Sequence, residues 1–207
     1  MGIESRKKKD RKIREQEIIQ AADKVLSAKG IDNTTMDDIA KQAEFTKKTL
    51  YSYFISKEEI FTAIFIDLFT NHVRNFEISM KKQDQAIEKL KALANAYYDF
   101  YHENPHILDL MLYFDLGKWN YNNVREGLKE TLFNLNQKAV NRIESAFQLG
   151  IENKEIRDDI DVQILVFNFV TSIRAVLFQV ISGFWKDNLD FYQNFLNVYF
   201  DGIKKKN

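Results

Sequence analysis

No cysteine occurs among the 207 residues, which removes disulfides, thiolate nucleophiles and thiolate metal sites and is compatible with a reducing interior. One proline and seven glycines leave little to interrupt helices. Neither a Gly-rich phosphate loop nor a G-x-S-x-G elbow is spelled anywhere, so kinase and esterase chemistry has no visible carrier. Imidazoles are limited to His72, His102 and His106. The N-terminal MGIESRKKKDRK lacks the apolar core of a signal peptide, and no unbroken run of about 18 apolar residues follows it. A soluble cytoplasmic protein with no membrane partner is expected.

What is present is a globular composition, 45% hydrophobic with 17 Phe and 9 Tyr, enough for a sizeable core. The net charge of zero hides an asymmetry. Residues 1–58 carry 13 Lys and Arg against 10 Asp and Glu, and residues 59–207 carry 17 against 20. Within the first 14 residues seven bases, from Arg6 to Arg14, face two acids. Such a block is either a phosphate-seeking arm or a solvated, frayed terminus.

Apolar residues recur at three and four rather than at two, so the fold is expected to be all-α. Helices are predicted over about 10–29, 35–43, 47–54, 57–80, 85–102, 105–118, 122–150, 161–184 and 188–204. Ile18, Ala22 and Val25 stripe the first, which Gly30 can end with a left-handed cap. Thr34 or Thr35 can cap the second, with Asp37 and Asp38 in its positive first turn and Met36, Ile39, Ala40 and Ala43 on its packed face. Thr46 can cap the third, KKTLYSYF, whose Leu50 and Phe54 turn inward and whose Lys47, Lys48, Thr49, Tyr51 and Tyr53 remain outside. Two helices of about eight residues joined by about three fit a helix-turn-helix, although an ordinary amphipathic helix with a polar face has the same pattern. Lysine amines suit phosphate or guanine, and Thr and Tyr hydroxyls suit phosphate. Ser56 and Glu59 form a capping box that starts the fourth helix at once.

From about Arg14 to Phe65 the order TTMDDIAKQAEFTKKTLYSYFISKEEIFTAIF resembles the DNA-binding domain of the TetR family of bacterial transcriptional regulators. The resemblance covers about a quarter of the chain and rests on three features. They are the threonine before a helix containing D-I-A, the T-K-x-T-L-Y-x-Y-F helix, and S-K-E-E. It implies a three-helix DNA-binding domain over 1–56 with the helix-turn-helix at about 34–53, and a larger helical ligand-binding and dimerisation domain over 57–207. It further implies DNA contacts from Thr35, Thr46, Lys47, Lys48, Thr49, Tyr51, Tyr53 and Lys57, and a homodimer released from a palindromic double-stranded operator by a small-molecule inducer. Repression is the implied behaviour, with no cofactor, no metal and no catalytic residue. Two positions depart from the family pattern. Glu44-Phe45 stands where Gly-Val is common, which costs about 1 kcal/mol if Glu44 takes a positive φ. Lys48 stands where Gly is frequent and adds a cation to the DNA-facing helix.

For the dimer face the candidates are residues 162–184 and 189–204, too apolar for lone surface helices. Phe167, Val170, Arg174 and Leu177 repeat at helical spacing in one, and Phe191, Phe195, Val198 and Tyr199 in the other. Burial inside one subunit is the competing reading. In the middle of the chain Tyr97, Tyr101, Met111, Phe114, Trp119 and Phe133 can line an apolar pocket for a hydrophobic or aromatic inducer, or simply pack a core.

One motif points elsewhere. HENPH, at 102–106, matches the spacing of zinc peptidases, in which two histidines one turn apart hold the metal and the glutamate activates water. A zinc-dependent hydrolase using His102, Glu103 and His106 is therefore the alternative function. Against it, Pro105 falls between the histidines and pushes Asn104 out of the helical region. The expected structure is a bend, with one helix ending near His102 and the next capped by Asn104 and starting at Pro105.

Overall fold

A computed structural model describes residues 2–184 and 188–205. Among the described residues nine α-helices form an all-α architecture without strands. They are α1 (Ile3–Lys29), α2 (Met36–Gln42), α3 (Lys47–Tyr53), α4 (Lys57–Lys81), α5 (Ala86–Glu103), α6 (Pro105–Asp115), α7 (Glu126–Glu152), α8 (Val162–Ile181) and α9 (Asn188–Ile203), with a 3₁₀ turn at Tyr121–Asn123 before α7.

Packing divides the chain into two compact units: Met1–Phe69 with His106–Phe133, and Thr70–Pro105 with Asn134–Asn207. The first holds the short N-terminal helices together with most of α6 and the start of α7. Its core is made by the predicted stripes. Ile18, Ala22, Val25, Ile39, Leu50 and Phe54 are all buried, joined by Leu26, Ile60, Phe61 and Ile107. Each fully buried aliphatic or aromatic side chain of this kind contributes roughly 1.5–3 kcal/mol.

The N-terminus corrects one expectation. Helix α1 begins at Ile3, so the basic block is helical rather than frayed. Its arginines are partly spent on structure. Arg11 pairs with Glu15 at 2.9 Å, donates to the Ser52 carbonyl at 3.2 Å and lies 5.0 Å from the Tyr53 ring. Arg14 pairs with Glu17 and sits 5.7 Å from the Phe45 ring.

In the second unit α8 packs on α5 and α9. The core centres on Tyr101, Phe147, Phe169, Leu177, Tyr192, Leu196 and Phe200. Phe147 meets Phe169 edge-on at 5.8 Å, and the buried Tyr192 hydroxyl donates to the Ala94 carbonyl at 2.6 Å. The C-terminus is tied back by a single antiparallel bridge between Ile156 and Lys204. Polar residues interrupt α8, yet with 20 residues and a mean hydropathy of 2.0 it is long and apolar enough to cross a membrane by length and composition alone. Only 33% of that stretch is buried within the chain, which leaves much of it without cover.

Candidate nucleic-acid interface

The interface starts with the caps. Thr35 caps α2 through a reciprocal box, accepting from the Asp38 amide at 3.2 Å while Asp38 accepts from the Thr35 amide. Lys29 bonds the same carboxylate at 2.6 Å, and with the Thr35 hydroxyl it lowers the Asp38 pKa to about 2. The cap therefore stays charged at every physiological pH. Thr34, the other candidate, is buried and donates to the Gly30 carbonyl at 2.7 Å. Thr46 caps α3, accepting from the Thr49 amide at 3.1 Å. Caps of this kind contribute about 0.5–2 kcal/mol each, which matters for two helices of seven residues.

Between them the chain must reverse within three residues, and no glycine is available. Glu44 takes the left-handed conformation, φ 58°, while the Phe45 amide reaches back to the Ala40 carbonyl at 2.9 Å. The strain anticipated for a non-glycine turn is present.

Helix α3 buries Leu50 completely and turns Lys47, Lys48 and Tyr51 outward, Tyr51 being 45% exposed. Lys47 and Tyr51 lie one turn apart and Lys48 beside them, so two cations and a phenol share one solvent-facing side. The Lys47 amine donates to Asp37 Oδ2 at 3.0 Å, a hydrogen bond that raises its pKa. Both partners are in water, so phosphate can displace the carboxylate. Lys48 has no ion pair among the described residues. The remaining predicted contacts carry structural duties as well. Thr46 and Thr49 hydroxyls bond each other at 2.8 Å, Tyr53 is half-buried with its ring 6.3 Å from Phe45, and Lys57 points its amine at the Ile31 and Thr34 carbonyls at 3.4 and 3.5 Å.

Two short capped helices, a tight turn and an outward cationic face form a helix-turn-helix. The model of the bacterial regulatory proteins of the tetR family matches residues 18–64, the segment that carries it. Residues 18–64 are a TetR-family DNA-binding domain. The chain is a DNA-binding transcriptional regulator, and the similarity continues beyond that segment. A fatty acid metabolism regulator protein of Bacillus subtilis is 26% identical over 148 residues, 72% of this chain and 73% of its own length. The negative transcriptional regulator IcaR of the Staphylococcus epidermidis biofilm operon icaADBC is 41% identical over 69 residues, 30% of this chain and 37% of its own. The fold of the FadR regulator of Bacillus subtilis, solved in complex with stearoyl-CoA, superposes with a TM-score of 0.73 at 21% identity, covering 91% of this chain and 98% of that one.

Elsewhere in the chain the predicted residues divide. Trp119 lies 6.2 Å from Phe61 and 6.1 Å from Phe114, and its buried indole nitrogen has no hydrogen-bond partner among the described residues. Met111 is half-buried on the same helix as Phe114, whereas Phe133 is 62% exposed and stands away from any core. In the second unit Tyr97 stacks on Tyr101 at 6.3 Å and tilts on Phe76 at 4.5 Å. Burial raises the Tyr97 pKa, offset in part by the charges of Arg174 and Arg142.

Of the predicted dimer residues, Phe167 is 69% and Val198 75% exposed, and Phe191 is also exposed. Val170, Arg174, Phe195 and Tyr199 are half-buried. Leu177 is fully buried, so it closes the core of its own subunit and is unavailable to a partner. Ile173 and Val180, on the same inner side, are also buried. The apolar repeat merges two faces of one helix.

HENPH is a bend. Helix α5 ends at Glu103 and α6 starts at Pro105. Asn104 caps backwards, not forwards: its amide and its side-chain nitrogen both donate to the Phe100 carbonyl, at 3.0 and 2.9 Å. Its φ of −131° and ψ of 62° lie outside the helical region, which the following proline disfavours. His102 stacks on Tyr98 at 5.6 Å, and His106 Nε2 bonds Asp23 Oδ1 at 2.8 Å. Among the described residues no group of three or more His, Asp or Glu side chains could hold a metal ion, and the metal-site reading is without support.

Sequence reasoning missed one cluster altogether. Glu59 is fully buried and bonds Arg125, 66 residues further on. Ser56 caps α4 by accepting from the Glu59 amide at 3.0 Å, but the carboxylate accepts from the Ile55 amide at 2.7 Å rather than completing the reciprocal box.

Proposed function

We propose that this protein is a homodimeric repressor that grips a palindromic operator with paired α3 helices and releases it on binding a long-chain fatty-acyl thioester. Residues 1–56 act as the DNA-binding domain and residues 57–207 as the effector and dimerisation domain, working in the cytoplasm. The observation that carries the effector class is the reach of the similarity. The likeness to the Bacillus subtilis fatty acid metabolism regulator extends over 72% of the chain, three times the length of the helix-turn-helix segment, and the fold of a FadR bound to stearoyl-CoA matches over 91% of it. Chemistry agrees. An acyl chain needs an apolar, aromatic lining, of the kind that Met111, Phe114 and Trp119 offer in the first unit and Tyr97 and Tyr101 in the second. A thioester carbonyl would satisfy the orphaned Trp119 indole N–H. Phe133, at 62% exposure, is the weakest member of that set.

DNA contacts are assigned to Thr35, Thr46, Lys47, Lys48, Thr49, Tyr51, Tyr53 and Lys57, with Lys48 and Tyr51 the most available. The dimer face is assigned to the exposed Phe167, Phe191 and Val198 with the half-buried Val170, Arg174, Phe195 and Tyr199.

The test is a fluorescence anisotropy titration of the protein with duplex from its own upstream region, at several salt concentrations and with and without stearoyl-CoA. Binding should weaken steeply with salt, because phosphate neutralisation releases counterions, and stearoyl-CoA should release the duplex. Tight binding indifferent to stearoyl-CoA would remove the effector class and keep the regulator. Absence of binding at low salt would remove both.

A further inference from the structure

The C-terminal end of the recognition helix is held by a residue that no pattern in the sequence marks. Helix α3 ends at Tyr53, whose carbonyl is one of the groups a helix leaves without an internal partner. Arg125 Nη2 donates to that carbonyl. The same guanidinium donates through Nε to Glu59 Oε1 at 2.5 Å and through Nη2 to Glu59 Oε2 at 3.1 Å. Its own backbone amide also reaches Glu59 Oε1 at 3.3 Å, and two residues earlier the Asn123 carbonyl accepts from the Ser56 hydroxyl at 2.6 Å.

Residues 123–125 are therefore fastened to residues 53–59 at several points, around a carboxylate with no exposure. The preceding stretch of the same segment carries Trp119, packed on Phe61 and Phe114 with its indole N–H unsatisfied. A group that docks at Trp119 acts on a stretch whose other end is bolted to α3. Only arginine can make this bridge. Its planar fork addresses a carboxylate with two parallel bonds and keeps a further donor for the carbonyl, whereas a lysine amine is a single point.

We infer that Arg125 is a positioning residue for operator binding: it sets the pose of α3 and makes that pose follow the segment between α6 and α7. This rests on the proposed effector-responsive function for its second half and on the geometry alone for its first.

The experiment compares wild type, Arg125→Lys and Arg125→Ala by the same anisotropy titration with the upstream duplex, with and without stearoyl-CoA, alongside direct stearoyl-CoA binding and thermal melts. Arg125→Lys should reduce by roughly tenfold either the operator affinity or the factor by which stearoyl-CoA weakens it, inside the range of about 5- to 150-fold that couplings between sites span. Affinity for stearoyl-CoA should stay at the wild-type value. Arg125→Ala should show the larger effect, and if it does not fold the lysine variant decides. Operator affinity and release both equal to wild type would overturn the inference. That holds even if the melting temperature drops, since a merely stabilising contact behaves so. If wild type binds the duplex but stearoyl-CoA does not release it, the effector class fails separately, and operator affinity alone decides for Arg125. If wild type binds no duplex, a nitroxide at Ser52→Cys, the sole thiol in this cysteine-free chain, reads α3 directly. A more mobile spectrum with Arg125→Lys supports the clamp, and an unchanged spectrum overturns it.

Discussion

The α2–α3 pair and the α8–α9 pair are both exposed surfaces built on buried stripes, and they differ in what they leave outside. Helix α3 buries Leu50 and presents Lys47, Lys48 and Tyr51, charged or polar groups that stay soluble until phosphate arrives. Helices α8 and α9 bury Leu177, Tyr192 and Leu196 and still present Ile164, Phe167 and Val198 at 57%, 69% and 75% exposure. A polar outer face is compatible with a transient partner. An exposed apolar outer face calls for permanent cover.

The largest effects should separate inner from outer faces of α8. Leu177→Ala removes a fully buried side chain and should cost about 2–5 kcal/mol of folding free energy, read by denaturant unfolding. Phe167→Glu leaves the subunit core untouched and places a charge where a partner should sit. It should convert dimer to monomer in sedimentation, with operator affinity falling in step, while the secondary structure is retained. A Phe167→Glu protein that stays dimeric would move the interface elsewhere.

Next comes the recognition face. Tyr51→Ala should leave the melt within about 0.5 kcal/mol of wild type, as for a surface change, and weaken operator binding by roughly 1–3 kcal/mol per half-site. Lys48→Ala should act uniformly across DNA sequences and lower the salt slope by about 1 for each phosphate left unneutralised. If Lys48→Ala instead changes which duplexes are preferred, Lys48 reads a base.

Legibility followed the range of the interactions. The helices, the Thr35 and Thr46 caps and the left-handed Glu44 are decided within three or four residues, and the sequence shows them. The start of α1 at Ile3 is less visible, because Arg11 is held by Ser52 on α3, about forty residues away. Glu59 reads as half of a capping box, and nothing local tells of Arg125. Asn104 can cap in either direction, and the direction depends on where α5 stops. The two faces of α8 merge because apolar residues stand on both its inner and its outer side, so spacings of three and four run from one face to the other.

Acidity should widen the contrast between the units. His72, in the second unit, is wedged between Phe76 at 4.2 Å and Phe100 at 4.3 Å, with Nε2 2.7 Å from the Ala96 carbonyl. Burial lowers its pKa below the ordinary value of 6.5, which outweighs the opposing hydrogen bond and the carboxylates of Glu103 and Asp99. The unfolded chain thus takes up a proton before the folded one, so the stability this neutral imidazole supports is present above pH 6.5 and is lost as pH falls below it. His72→Gln should flatten the fall in melting temperature on acidification through that window. An equally steep fall in the variant would assign the acid sensitivity to other groups.

The smallest effect is the most local. Glu44 sits at φ 58° on the turn of the helix-turn-helix, and an L-residue there carries roughly 1–2 kcal/mol of steric cost. Glycine is free of it but loses about 0.5–1 kcal/mol more backbone entropy on folding than a residue with a side chain. The difference predicts that Glu44→Gly stabilises the protein by about 0.5 kcal/mol, a gain that denaturant midpoints at constant slope can resolve. Operator affinity should hold or rise slightly, since the variant removes an exposed carboxylate between the two helices of the helix-turn-helix. A destabilised Glu44→Gly would mean that the glutamate side chain holds the turn by a contact stronger than its strain.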